Sequence, residues 1–194
     1  MDITQLILDD HHEQRRLFAI LEQIDRSGTA TLGTFWARLS VFLELHAAAE
    51  EEIFYPELLR VGMRADGTDS AEEETLDAIH DHNDIRDTIA AVAAHQVGSD
   101  GWYAAVAAVN LANSDHMAEE EREGLTDFRR LAGLQLRHDL AVQFAAFEAR
   151  HFAGVPVVDK DPVRYVREAE QRIEPPGSRR GTDGSLGIGS LRGR

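Results

Sequence analysis

The chain has 194 residues, no cysteine and a formal charge of −15. That length suits one domain with a sizeable core, and the lack of cysteine excludes disulfides, thiolate-held zinc, iron-sulfur clusters and cysteine nucleophiles. An acidic body argues against a phosphate-binding surface, so nucleic acid is not an expected partner. No run approaches the roughly 20 apolar residues of a membrane span and no basic-then-apolar leader opens the sequence, so the expected location is the cytoplasm with no membrane partner.

In chain order, Asp2 with Gln5 reads as a capping box for a first helix that runs to about Asp25 and stops at Ser27-Gly28. A second helix is expected from about Thr31 to Val61, disturbed at Pro56, which lacks an amide donor, and ended at Gly62. After a loop from Gly62 to Asp69, Ser70 with Glu73 reads as the cap of a third helix to about Gln96, stopping near Gly98. Ser99 and Asp100 open a fourth, to about Gly124. Short loops between these four predict an up-down antiparallel four-helix bundle, all-α. A fifth helical stretch spans about Asp127 to Phe152, weak at Gly133, and Asp161-Pro162 caps a short helix to about Ile173. The expected organisation is a helical bundle over 1–153 that includes the fifth helix, a short C-terminal helix over 154–174 and a flexible Gly/Arg-rich tail over 175–194. That tail carries four Arg and one Asp, hence +3, which leaves −18 for the rest.

One pattern occurs twice. Asp10-His11-His12-Glu13-Gln14-Arg15 is followed by His46-Ala-Ala-Ala-Glu50-Glu51, and Asp81-His82-Asn83-Asp84-Ile85-Arg86 by His116-Met-Ala-Glu-Glu120-Glu121. Residues four apart on a helix differ by about 40° around the axis, so His46 and Glu50 point one way, as do His116 and Glu120. The direction is inward. His46 and Glu50 continue the stripe Phe35, Leu39, Phe42; His11 lies among Ile3, Ile7, Leu17 and Leu21; His82 among Ile79, Ile85 and Ile89; His116 follows Trp102, Val106 and Val109. A single buried histidine is most simply a core residue bonded to a carbonyl or a glutamate. Six such residues on four inward stripes, in duplicate, need compensating charge, and a cation held by nitrogen and oxygen provides it.

The combined pattern, with Phe54-Tyr55-Pro56 after the first His-x-x-x-Glu-Glu, resembles the hemerythrin-like, HHE cation-binding family over residues 1 to about 125. The resemblance implies a four-helix bundle around two iron ions in an oxo- or hydroxo-bridged centre. It implies His11, His46, His82 and His116 as terminal ligands and Glu50 and Glu120 as bridging carboxylates. Manganese or zinc would suit the same donors.

One departure bears on function. Oxygen-carrying members have a further histidine one turn before the position of His82, and this chain has Ala78 there. His80 does not replace it, being about 200° round the helix from His82. Tyr55 is a candidate extra oxygen ligand or hydrogen-bond partner of a ligand, although on a straight helix it points about 180° from His46. Glu51 and Glu121 are candidates to orient the histidines from outside. His12, His95, His138 and His151 read as structural or solvated. No catalytic residue beyond the metal ligands is expected.

The expected function is a non-haem di-iron protein reacting with a small oxidant, hydrogen peroxide in a catalase-like decomposition or dioxygen. The alternatives are a non-enzymatic protein that binds or senses oxygen, nitric oxide or iron, and a metal-free helical interaction protein. The oligomeric state is left open, a homodimer among the options.

Overall fold

The computed structural model describes residues 1–65 and 68–173, with the backbone alone at 68 and 69. Its elements are α1 (Ile3–Gln23), α2 (Thr29–Ala49), a π-helical stretch (Glu50–Phe54), α3 (Tyr55–Arg64), α4 (Thr68–Val92), α5 (Asp100–Arg122), α6 (Gly124–Leu131), α7 (Leu134–Arg150) and α8 (Pro162–Arg172). The protein is an all-helical bundle, with no strand among the described residues. The hairpin of α1 and α2 faces that of α4 and α5; α7 covers α1 and α2, and α8 covers α3 and α4. None of the described helices is long and apolar enough to cross a membrane.

Local chemistry sets the ends. Asp2 accepts from the Thr4 amide at 3.0 Å and hydroxyl at 2.9 Å. Gln5 reaches forward to Asp9 instead of back to Asp2, so half of the expected capping box forms. Between α4 and α5, Gly98 has φ +82°, and a Cβ there would lie 2.9 Å from the Arg26 carbonyl. Only glycine meets both conditions without strain. Ser99 then caps α5 through the Trp102 amide at 3.1 Å.

Two expected helices differ here in the structure. The third long helix begins at Thr68, inside the expected loop, and its Ser70 hydroxyl donates to Glu74 at 2.8 Å instead of capping. That helix ends at Val92, and the chain reaches Gln96 through turns. The fifth stretch is two helices, because Ala132 and Gly133 are extended, with ψ 131° and 156°. The tail expected to be flexible, 175–194, lies outside the described residues.

The largest departure concerns the second helix. It is interrupted by the π-helical stretch Glu50–Phe54, closed by the Tyr55 amide donating to the Glu50 carbonyl. Pro56 has no amide to offer the preceding turn, and its ring crowds the carbonyl four residues back. Widening the turn by one residue relieves both, and it rotates the side chains beyond the turn by about 100° relative to a regular helix.

Apolar packing forms two clusters. One, around Phe54, Tyr55, Leu58, Phe128 and Phe144, also holds Ile3, Ile7 and Ile79; the other, around Phe18, Leu32, Leu39, Trp102 and Val109, holds Leu17 and Leu21. On α1 the seam between them falls at His11, with Ile7 in one cluster and Leu17 in the other, and on α2 at His46, between Leu43 and Ala49. The polar site therefore sits across the middle of the bundle, walled off at both ends.

Candidate metal centre

Each expected histidine is buried, at no more than 4% exposure. Their side-chain atoms form two groups compact enough to hold an ion each: His11, His46 and Glu50, and Glu50, His82 and His116. Glu50 belongs to both. Its Oε1 lies 3.0 Å from His46 Nε2 and its Oε2 lies 3.4 Å from His82 Nε2. Glu120 Oε2 lies 3.4 Å from His11 Nε2. All six sequence-predicted ligands thus meet in one place.

The outer nitrogens explain the orientation. Nδ1 of His11 faces Glu121 at 2.9 Å, that of His46 faces Asp10 at 3.1 Å, that of His82 faces Glu51 at 2.9 Å, and that of His116 lies 3.4 Å from Asp81. A carboxylate only accepts, so each Nδ1 carries a proton, and in the neutral, metal-binding form each Nε2 turns a lone pair inward. In that neutral form the Nε2 atoms of His82 and His116, 3.1 Å apart, face each other as two acceptors. His11 Nε2, His46 Nε2, both Glu50 oxygens and Glu120 Oε2 are buried without an aligned hydrogen bond, and what they meet is one another, in ion-pair approaches of 3.0 to 3.4 Å. Native proteins rarely leave so many inward acceptors unmatched. This donor set fits divalent cations that take imidazole and carboxylate, held from behind by carboxylates on the histidines.

Glu51 and Glu121 are legible in the sequence as orienting groups; the roles of Asp10 and Asp81 emerge only in the structure, although each stands in the duplicated motif. The pattern is regular. The aspartate before each first histidine holds the second histidine of the same hairpin, and the glutamate after each inward glutamate holds the first histidine of the other hairpin. Arg15 and Arg86 repeat as well, four residues after His11 and His82, and bind Glu121 at 2.8 Å and Glu51 at 2.7 Å.

Tyr55 is where the straight-helix expectation fails. The π-helical stretch turns it inward, to 1% exposure, and its hydroxyl donates to Glu120 Oε1 at 2.8 Å. The side chain is a hydrogen-bond partner of Glu120, the second of the two roles expected for it. Its neighbour across the bundle is Ala78, and with Glu74, Asp81, His116 and Glu120 these residues line a cavity of about 30 Å³. That is room for about one water. The remaining histidines stay outside: His12, His80, His95 and His138 are exposed, and His151 bonds the Phe147 carbonyl. His80 pairs with Asp84 at 3.5 Å.

Without an ion, the charges hold one another. Burial opposes the charge on His46 and Glu50, yet their mutual attraction prevails, raising the imidazole well above and lowering the carboxyl well below the ordinary range. Burial likewise opposes protonation of His82, and Glu50 and Glu51 overcome it, holding the imidazole up at about 9. Glu51 is pushed up by burial but held down to about 2 by His82, Arg86 and Lys160. Burial, with Glu120 and Glu50 nearby, raises the Tyr55 phenol well above its usual range, so it keeps its proton.

No curated protein and no solved structure matches the chain. The model of the hemerythrin HHE cation binding domain matches residues 2–126, which contain all six inward donors and the four carboxylates behind the histidines. The chain belongs to the hemerythrin HHE cation-binding family.

Proposed function

We propose that His11, His46, His82, His116, Glu50 and Glu120 hold two iron ions with Glu50 shared between them, and that the protein is a cytoplasmic di-iron protein acting on a small oxidant. The observation that carries this reading is the convergence of buried inward nitrogen and oxygen atoms that make no aligned hydrogen bond, beside a cavity sized for one small molecule. Iron held there would supply a two-electron couple spread over two metals and a Lewis-acidic position for the oxidant. Manganese or zinc could occupy the same donors, and zinc would lack the redox couple.

Hydrogen peroxide is the favoured substrate, in the balanced reaction of two peroxides to one dioxygen and two waters. Ala78 leaves space where a histidine would otherwise fill the cavity wall. Tyr55 holds a proton at that wall, on an oxygen already bonded to Glu120. The two apolar clusters exclude bulk water from either end, and the four outer carboxylates keep the histidines aimed. Purified protein loaded with iron should evolve oxygen from hydrogen peroxide; turnover no faster than the same iron free in buffer would refute the enzymatic reading.

The small size of the cavity favours one second reading, reversible binding or sensing of dioxygen or nitric oxide without turnover. A stable spectrum that forms on adding the gas and reverses on removing it would decide for it.

A further inference from the structure

The duplicated site is not symmetric, and the difference comes from outside the family match. Glu121, behind His11, is met by Arg15 and keeps 29% of its side chain exposed. Its counterpart Glu51, behind His82, is 1% exposed. The extra cover is the segment from Gly154 to Ile173. Lys160 Nζ lies 2.6 Å from Glu51 Oε2, and the Tyr165 hydroxyl donates to the Glu51 backbone carbonyl. The segment is pinned to α4 one residue after the ligand: Asn83 donates to the Lys160 carbonyl at 2.7 Å and accepts from its amide at 3.0 Å. Arg86, 6% exposed and also bonded to Glu44, completes the hold on Glu51.

We propose that this C-terminal strap is a working part of the metal centre: Lys160 and Tyr165 fix Glu51, Glu51 fixes the His82 ring, and the His82–His116 half thereby binds its ion more tightly than the His11–His46 half. Lys160, Tyr165 and Arg86 are positioning residues. A carboxylate held by His82, Arg86 and Lys160 together has one orientation open to it, whereas Glu121 can move toward solvent. Rigid support of a ligand from behind is worth roughly tenfold to a hundredfold in metal affinity. The inference rests on the proposed metal centre. Coupling is reciprocal, so loading the His82 half must also tighten the strap.

The test is an anaerobic equilibrium titration of metal-free full-length protein with ferrous iron, paired with the ring N–H resonance of His82 in the metal-free state. The wild-type chain should take two equivalents of unequal affinity, the tighter reporting on His82. Lys160→Met should weaken that equivalent about tenfold and leave the other alone; Lys160→Arg, which keeps the charge, should restore it. Amide exchange in 155–173 should slow on iron loading. Two equivalents with wild-type affinities in Lys160→Met, with the His82 N–H unmoved, would overturn the strap's role while leaving the metal centre standing. If the wild-type chain takes no iron, the metal reading falls by itself, and the His82 N–H still decides: an unchanged resonance in Lys160→Met refutes the clamp.

Discussion

Replacing Tyr55 by phenylalanine removes one oxygen and nothing else. The ring is fully buried and its hydroxyl is the partner that Glu120 Oε1 has, while Glu120 Oε2 already lacks one. A hydrogen bond to a charged, buried group contributes about 1.5–3 kcal/mol. For a protein of this size, 1 kcal/mol corresponds to roughly 2–4 °C in melting temperature, so metal-free Tyr55→Phe should melt about 3–12 °C below wild type. With iron bound, Glu120 gains a cation in place of its missing partner, and the gap between variant and wild type should narrow. The assay is a pair of thermal melts, metal-free and anaerobically iron-loaded, followed by helical circular dichroism. A metal-free variant melting within about 1 °C of wild type would refute the view that the π-helical turn brings Tyr55 in to hold Glu120.

Glu50→Gln should cost both ions, since Glu50 is common to the two donor groups, and metal analysis should find well under one equivalent. Phe144→Ala should destabilise the fold by about 3–5 kcal/mol in denaturant unfolding, because Phe144 is fully buried with its ring 6.0 Å from that of His46; a cost under about 1 kcal/mol would show that α7 is not part of the bundle core. In the metal-free chain the stabilising contribution of His82 is complete below its ordinary value of 6.5 and is lost as pH rises through about 9. That of Glu51 is complete above 4.5 and is lost as pH falls through about 2. Metal-free melting temperatures should therefore peak between about pH 4.5 and 6.5 and decline toward pH 9, whereas iron-loaded protein should hold its stability on the alkaline side because the ion replaces the proton. Melts across pH 4 to 9, with and without iron, read this directly.

The six inward donors are legible in the sequence because helical periodicity fixes direction: each lies in register with leucines, isoleucines or valines that have to be buried. The bundle is legible from the same stripes and from Gly28 and Gly98 between them, whereas Gly62, expected to end the second long helix, lies buried inside α3, which runs on to Arg64. Tyr55 is misdirected by carrying a regular helix through Pro56, since the π-helical turn that accommodates the proline shifts every later side chain round the axis. Asp10 and Asp81 sit beside the histidines in sequence yet serve histidines on neighbouring helices, a relation set by how α1 meets α2 and α4 meets α5. The repeat of Asp10-His11 with Arg15, and of Asp81-His82 with Arg86, carries that signal. Lys160 carries none. It lies in a stretch without helical periodicity, far along the chain from Glu51, and only the docking of α8 on α3 and α4 brings it there.

Two cations held by imidazoles and carboxylates at the centre of the bundle are the central claim. Metal analysis of full-length protein, purified without chelators and reloaded anaerobically with ferrous iron, tests it most directly when combined with the melting temperature. The prediction is two irons per chain and a rise in melting temperature that a chelator reverses, since an ion that binds only the folded state must stabilise it. No stoichiometric metal together with an unchanged melting temperature would contradict it.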